Sequence, residues 1–200
     1  MELLLIRHGQ PERVEGADGP ADPPLTEEGR HQAGRLAAWL THEPVQHVVT
    51  STLRRARETA APLARALGLE AEVVAGLSEF DAGADSYIPI EELRATRDPR
   101  FFALVEGRWG EFGDAPEPEA FRASVVEAVE ELVDRFPSRL VAVVCHGAVI
   151  NLYLGHVLGL DQLLWFEPNY ASISRVRASR DGVRSVVSVN ETAHLEASRG

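Results

Sequence analysis

The chain has 200 residues, 44% of them hydrophobic and 26% charged, which is the composition of a globular domain long enough to bury a core. Twenty basic against 31 acidic side chains leave a net charge of -11, which argues against a nucleic-acid backbone or an anionic membrane as the main partner. A single cysteine, Cys145, excludes an internal disulfide and a multi-cysteine metal site and fits a reducing compartment.

In chain order, the apolar residues 2–6 predict a central strand that opens into a loop at Gly9 and Pro11. Residues 14–24 are rich in Gly, Asp and Pro and predict a loop. Thr26 then offers an N-cap, Glu27 and Glu28 place negative charge in a first turn, and Ala33, Leu36, Ala37 and Leu40 recur at helical spacing. Residues 46–50 predict a second strand, 53–67 a second helix stopped by Gly68, and 72–75 a third strand. Over residues 80–118 the periodicity fades into Gly, Pro, acidic and aromatic residues, a segment expected to form a small cap on a single domain spanning 1–200. Helical spacing returns with Phe121, Val125, Ala128, Val129, Leu132 and Phe136. A strand over 140–145, a helix after Gly147, and β-rich runs at 171–177 and 182–189 follow, with a frayed tail expected beyond Asn190. Strands alternating with helices imply an α/β fold: a three-layer sandwich with a mainly parallel central sheet and helices on both faces.

Residues 140–160 contain no Asp, Glu, Lys or Arg over nearly the length of a membrane span. The glycines, histidines and Asn151 within them, and the change from β-branched to helical patterning, read instead as a buried strand feeding a buried helix. The first apolar run follows an acidic residue and ends at Arg7, unlike a signal peptide, so a cytoplasmic location is expected, and the Asn190-Glu191-Thr192 sequon has no secretory context.

Ligands of open α/β sheets bind beyond the carboxyl ends of the strands. Two strands here end alike: the first runs into Arg7-His8-Gly9 and a later one into Cys145-His146-Gly147, each placing His-Gly where an apolar run stops. A third runs into Ser51-Thr52-Leu53-Arg54-Arg55-Ala56 and puts arginines at a helix start. Arg54 and Arg57 lie on other faces of that helix from Arg55 and read as surface charges. Cys145 beside His146 suggests a nucleophile pair, but neighbours on a strand point to opposite faces, so the thiol is expected behind the sheet. The remaining histidines, 31, 42, 47, 156 and 194, sit in no motif and are expected to be structural or exposed, as are the loop acids Asp81 and Asp85 to be exposed.

The motifs Leu5-Ile6-Arg7-His8-Gly9-Gln10, Pro24-Leu25-Thr26-Glu27-Glu28-Gly29, Thr50-Ser51 with Leu53, Arg55-Ala56 and Thr59-Ala60, Leu77-Ser78-Glu79, and Val144-Cys145-His146-Gly147 resemble the histidine phosphatase superfamily, also called phosphoglycerate mutase-like, in its order. The resemblance implies His8 as phosphoryl acceptor, Glu79 as proton donor, and Arg7, Arg55, His146 and Gly147 around the phosphate, without cofactor or metal. Physical need agrees: a histidine attacks phosphorus only as free imidazole, and two arginines both disfavour its protonated form and cradle the dianion. Burial or a neighbouring anion lets a glutamate hold the proton for the leaving group. Two side-chain phosphate donors of some relatives are replaced, by Pro11 and Val14. The aromatics Phe80, Tyr87, Phe101, Phe102, Trp109 and Phe112 either pack the cap or wall a substrate with a sizeable organic part.

The resulting expectation is a metal-independent phosphatase acting on a small phosphomonoester through phosphohistidine. A phosphoglycerate mutase, which retains the phosphoryl group, and a non-catalytic phosphate-binding or scaffold protein are the alternatives. Metal-dependent hydrolysis is disfavoured because two arginines would repel the cation. The sequence does not set the oligomeric state, and a homodimer is compatible with it.

Overall fold

The computed structural model describes residues 1–112 and 115–196, with the side chains of 111 and 112 outside that description. Six strands form one sheet in the order β3-β2-β4-β1-β5-β6: β1 Glu2–Arg7, β2 His47–Thr50, β3 Ala71–Val73, β4 Leu140–Cys145, β5 Ile173–Ala178 and β6 Arg184–Glu191. The β1–β4, β4–β2 and β2–β3 pairings are parallel, whereas β5 joins β1 and β6 antiparallel. The central strands β1 and β4 are buried except at their first residues.

Alternation along those strands divides the interior into two layers. Leu3, Leu5, Val141, Val143 and Cys145 pack on one face with α5 (Pro118–Arg135) and α6 (Gly147–Leu158). Leu4, Ile6, Ala142 and Val144 pack on the other with α1 (Glu27–Leu40) and α2 (Arg54–Leu67). The expected sandwich is therefore present, and Cys145 is buried on the α5–α6 face, where burial pushes its thiol far up from its ordinary pKa. Residues 140–160 split into β4 and α6, and among the described residues no helix is long and apolar enough to cross a membrane.

Between β3 and α5 lie two short helices, α3 (Ile90–Ala95) and α4 (Pro99–Val105), and 3₁₀ turns over Ala75–Leu77 and Trp109–Phe112. Helices of six and seven residues complete fewer than two turns, so they leave no periodicity to read. The frayed tail is a second correction. Residues 193–196 form a short helix, α7, whose His194 is buried and bonded through Nε2 to the Ala171 carbonyl at 2.9 Å; residues 197–200 lie outside the described part.

Candidate active site

The parallel register brings three strand ends to one level. Arg7 pairs with Cys145 and Thr50 with Val144; the next amides, of His8 and Ser51, donate to Cys145 and Val144 carbonyls at 3.0 and 3.2 Å. From there the chain after β1 leads to α1 on one face and the chain after β4 to α6 on the other, which opens a crevice between the two His-Gly turns. The first turn is held by backbone contact. A Cβ on Gly9 would stand 2.6 Å from the Gly29 carbonyl oxygen, so glycine lets the loop lie against the start of α1. The Gly9 amide donates to Thr59 Oγ1 at 2.9 Å, which ties the same loop to α2.

All six sequence-predicted residues meet in this crevice. Arg7, His8, Arg55, Glu79 and Gly147 line a cavity of about 260 Å³, and the His146 ring lies with its centroid 5.1 Å from that of His8. His8 Nδ1 is 2.7 Å from the Gly9 carbonyl. A carbonyl only accepts, so this nitrogen carries the proton and, in the neutral ring, Nε2 carries the lone pair. The ring is held neutral: burial, then Arg55 and Arg7, push its pKa well below the ordinary histidine value. Burial, Arg55, His8 and Arg7 act on His146 in the same direction.

Each arginine is clamped by an acid and a tyrosine. Arg7 Nη1 donates to Glu91 at 2.6 Å and to the Pro168 carbonyl at 2.5 Å, and its guanidinium lies 3.9 Å from the Tyr170 ring centroid. Arg55 Nη2 donates to Asp81 at 3.1 Å and stacks 4.6 Å from the Tyr87 centroid. Tyr170 in turn donates its hydroxyl to Glu91 at 2.9 Å. The Arg7 and Arg55 Nε atoms and His146 Nδ1 are buried without a protein partner, which suits a site built to receive an anion. Glu79 accepts from the Ala148 amide at 3.0 Å and the Phe80 amide at 3.2 Å, yet burial and then Asp81 push its pKa up to about 7.

A model of the histidine phosphatase superfamily, branch 1, matches residues 3–192. The chain belongs to the histidine phosphatase superfamily. Among relatives, a bifunctional protein of Mycobacterium tuberculosis, Rv2228c, is 35% identical over 204 residues that cover 96% of this chain and 54% of the relative. The chain thus spans about half the length of that protein. A probable phosphoglycerate mutase, GpmB, of Photorhabdus laumondii is 29% identical over 165 residues, covering 80% of this chain and 76% of its own. The native structure of a mycobacterial glucosyl-3-phosphoglycerate phosphatase, Rv2419c, superposes with a TM-score of 0.78 at 25% identity over 96% of this chain and 99% of the other.

Several contacts in this crevice differ from, or go beyond, the sequence expectation. Asp81 is not an exposed loop acid but the partner of Arg55, while Asp85 is exposed as expected. Glu91 and Tyr87 carried no motif, and Tyr170 only a weak match over 169–174, because their role depends on chain folding over the strand ends. Ser51 stands inside a motif, and its Oγ lies 2.6 Å from His146 Nε2 while accepting the Leu53 amide at 3.3 Å. Arg54 and Arg57 are on the surface as expected. Val14 gives no side-chain donor but exchanges both backbone hydrogen bonds with Tyr87, fixing the ring on which Arg55 stacks.

The six aromatics of the 80–118 segment divide. Phe80, Tyr87 and Phe101 line the cavity, Phe102 is exposed, and the Phe112 side chain lies outside the described part. Trp109 is fully buried, stacked behind Phe80 at 4.5 Å with its Nε1 donating to the Leu104 carbonyl, so it packs the segment rather than facing the cavity. Trp165 and Phe166, unremarked in the sequence, complete the apolar side. Asn151 holds them: its Oδ1 accepts both their amides, and its Nδ2 donates to the Phe166 and Gly147 carbonyls.

Proposed function

We propose that the chain hydrolyses phosphomonoesters through a phosphoryl group carried on His8, with residues 80–118 as a substrate-side cap of a single domain. The observation that carries this reading is the Nδ1 bond of His8 to its own loop, which leaves Nε2 of a neutral ring as nucleophile between two guanidinium groups. Nε2 attacks phosphorus, the ester P–O bond breaks, and the departing alkoxide takes the proton of Glu79. The resulting carboxylate then accepts a proton from water as that water attacks phosphorus. The N–P bond breaks, and phosphate leaves. Arg7, Arg55, His146 and the Gly147 turn hold the nonbridging oxygens through both steps. Ser51, which already accepts the Leu53 amide, is free to donate its hydroxyl proton to His146 Nε2, so that His146 Nδ1–H faces the phosphate.

Similarity to a glucosyl-3-phosphoglycerate phosphatase supports hydrolysis, and that to a probable phosphoglycerate mutase supports the competing retention of the phosphoryl group. With 3-phosphoglycerate and catalytic bisphosphoglycerate, any turnover is expected to release inorganic phosphate; rapid isomerisation with little phosphate would establish the mutase instead. Quenching during turnover of an activated monoester should trap acid-labile, base-stable phosphate on His8, and His8→Ala should abolish both trapping and turnover. A label on Cys145 or a carboxylate would overturn the mechanism. Because two guanidinium groups supply the positive charge, activity is expected to withstand excess chelator.

A further inference from the structure

Among the described residues three cations line the cavity, and each already has a carboxylate partner: Arg7 with Glu91 at 2.6 Å, Arg55 with Asp81 at 3.1 Å, and Arg94 with Glu167 at 2.5 Å. A dianionic phosphate engages Arg7 and Arg55, whose Nε atoms are unpartnered. A second anion on the substrate would meet the carboxylates Asp81 and Glu167, and the remaining cation, Arg94, is shared with Glu167 at the solvent-exposed rim. Along the apolar wall hydroxyl-rich groups find no partner, because the polar side chain nearest it, Asn151, has both ends committed and the Trp165 Nε1 is spent on the Asn151 carbonyl. Apart from the Arg94–Glu167 pair at the rim, the lining beyond the phosphate is mainly apolar: Phe80, Ile88, Phe101, Leu104, Trp165 and Phe166.

We infer that the substrate is a phosphomonoester of an uncharged, apolar alcohol, with an aryl or branched alkyl group on this wall, rather than a phosphoglycerate, phosphoserine or sugar phosphate. The inference rests on the phosphatase reading above but concerns only what the cavity accepts. The wall gains by removing apolar surface from water, and the carboxylates Asp81 and Glu167 disfavour a second anion that a bare cationic pocket would welcome.

The test compares kcat/KM of the full chain on 2-phenylethyl phosphate, propyl phosphate, glucose 6-phosphate and 3-phosphoglycerate, all of which expel an alkoxide. The phenylethyl ester is expected to exceed the propyl ester about 10-fold or more and 3-phosphoglycerate about 100-fold or more, as pocket filling and an unpaired buried charge would produce. Equal or better turnover of glucose 6-phosphate or 3-phosphoglycerate would overturn the inference. Phe101→Ala should lower the ratio of kcat/KM for the phenylethyl ester to that for the propyl ester about 3-fold or more. Val105→Ala, at the exposed rim of the wall, should shift the same ratio more weakly without risk to the fold. Unchanged ratios in both variants would also overturn the inference. Titration calorimetry with phenylpropylphosphonate and the phosphonate analogue of 3-phosphoglycerate separates the two readings. Tighter binding of the first without hydrolysis of any ester removes the phosphatase reading and keeps the substrate class. Equal or tighter binding of the second removes the class.

Discussion

Glu79 has two opposing sets of neighbours, and their balance sets a pH at which the site changes state. Two backbone amides and Arg55 favour the carboxylate, but burial and Asp81 outweigh them and lift its pKa to about 7. Proton donation needs the protonated form, so kcat/KM for alkyl phosphates should fall as pH rises through about 7. His8, already neutral far below that pH, should impose no loss near pH 6. In Glu79→Gln the limb near 7 should vanish from a pH–rate profile and alkyl esters should lose about 10²-fold or more, while an activated aryl ester loses less. Glu91 makes the complementary prediction. Its carboxylate, held in the charged form by Arg7 against the cost of burial, competes for the guanidinium that the phosphate needs. Glu91→Gln should therefore lower the inhibition constant for inorganic phosphate, by about 10-fold if one charge-assisted contact worth roughly 1.4 kcal/mol is at stake. An unchanged or weaker inhibition would show that Glu91 orients Arg7 rather than competes for it.

Whether an aromatic in the cap segment serves substrate or stability depends on the side it presents. Trp109 has no surface left to offer a ligand, so Trp109→Ala should cost about 3–5 kcal/mol of stability in urea melts. Its effect on aryl and alkyl esters should then be uniform. The opposite element, the 165–166 wall, stands on one side chain of α6. Asn151 makes four hydrogen bonds to backbone groups, and Asn151→Leu leaves several of them unpaired beside an apolar core. A loss of at least about 2 kcal/mol, with KM for a bulky ester raised more than kcat is lowered, is the expected outcome, read by denaturant melts and steady-state kinetics.

Across the whole molecule, the charges kept out of the core set the pH dependence of stability. His8 and His146 are neutral in the folded state well below pH 6.5, and His194 is lowered too by burial, so these rings take up protons on unfolding. Such groups lose stability as pH falls below 6.5. Glu79 has the opposite sign, since its folded pKa of about 7 exceeds the ordinary 4.5 and unfolding releases its proton between those values. The balance between pH 5 and 6 is an uptake of about one to two protons, so stability should rise with pH there by about 1.4 to 2.7 kcal/mol per unit. Chemical denaturation of His8→Asn should show that slope reduced by about 1.4 kcal/mol per unit. A slope unchanged by the substitution would mean that His8 is not held neutral by the fold.

Periodicity in the long elements was enough to read the α/β sandwich, and the two His-Gly strand ends, Arg55 and Glu79 were legible because each follows a short motif tied to an apolar run. Those features are local: a strand's alternation or a cap residue such as Thr26, which accepts the Gly29 amide, is decided by neighbours in sequence. The partners of the site were not local. Glu91 is 84 residues from Arg7, and Asp81 26 from Arg55, and each becomes its partner only when residues 81–91 fold over the strand ends. The same holds for Trp165 and Phe166, brought to the cavity by Asn151, and for Trp109, turned away from it. Sequence alone thus determined which groups meet in the crevice, because their motifs follow apolar runs that stop there. Only tertiary structure decided what neutralises the arginines and what walls the cavity, because Coulomb and contact energies depend on distances in space rather than along the chain.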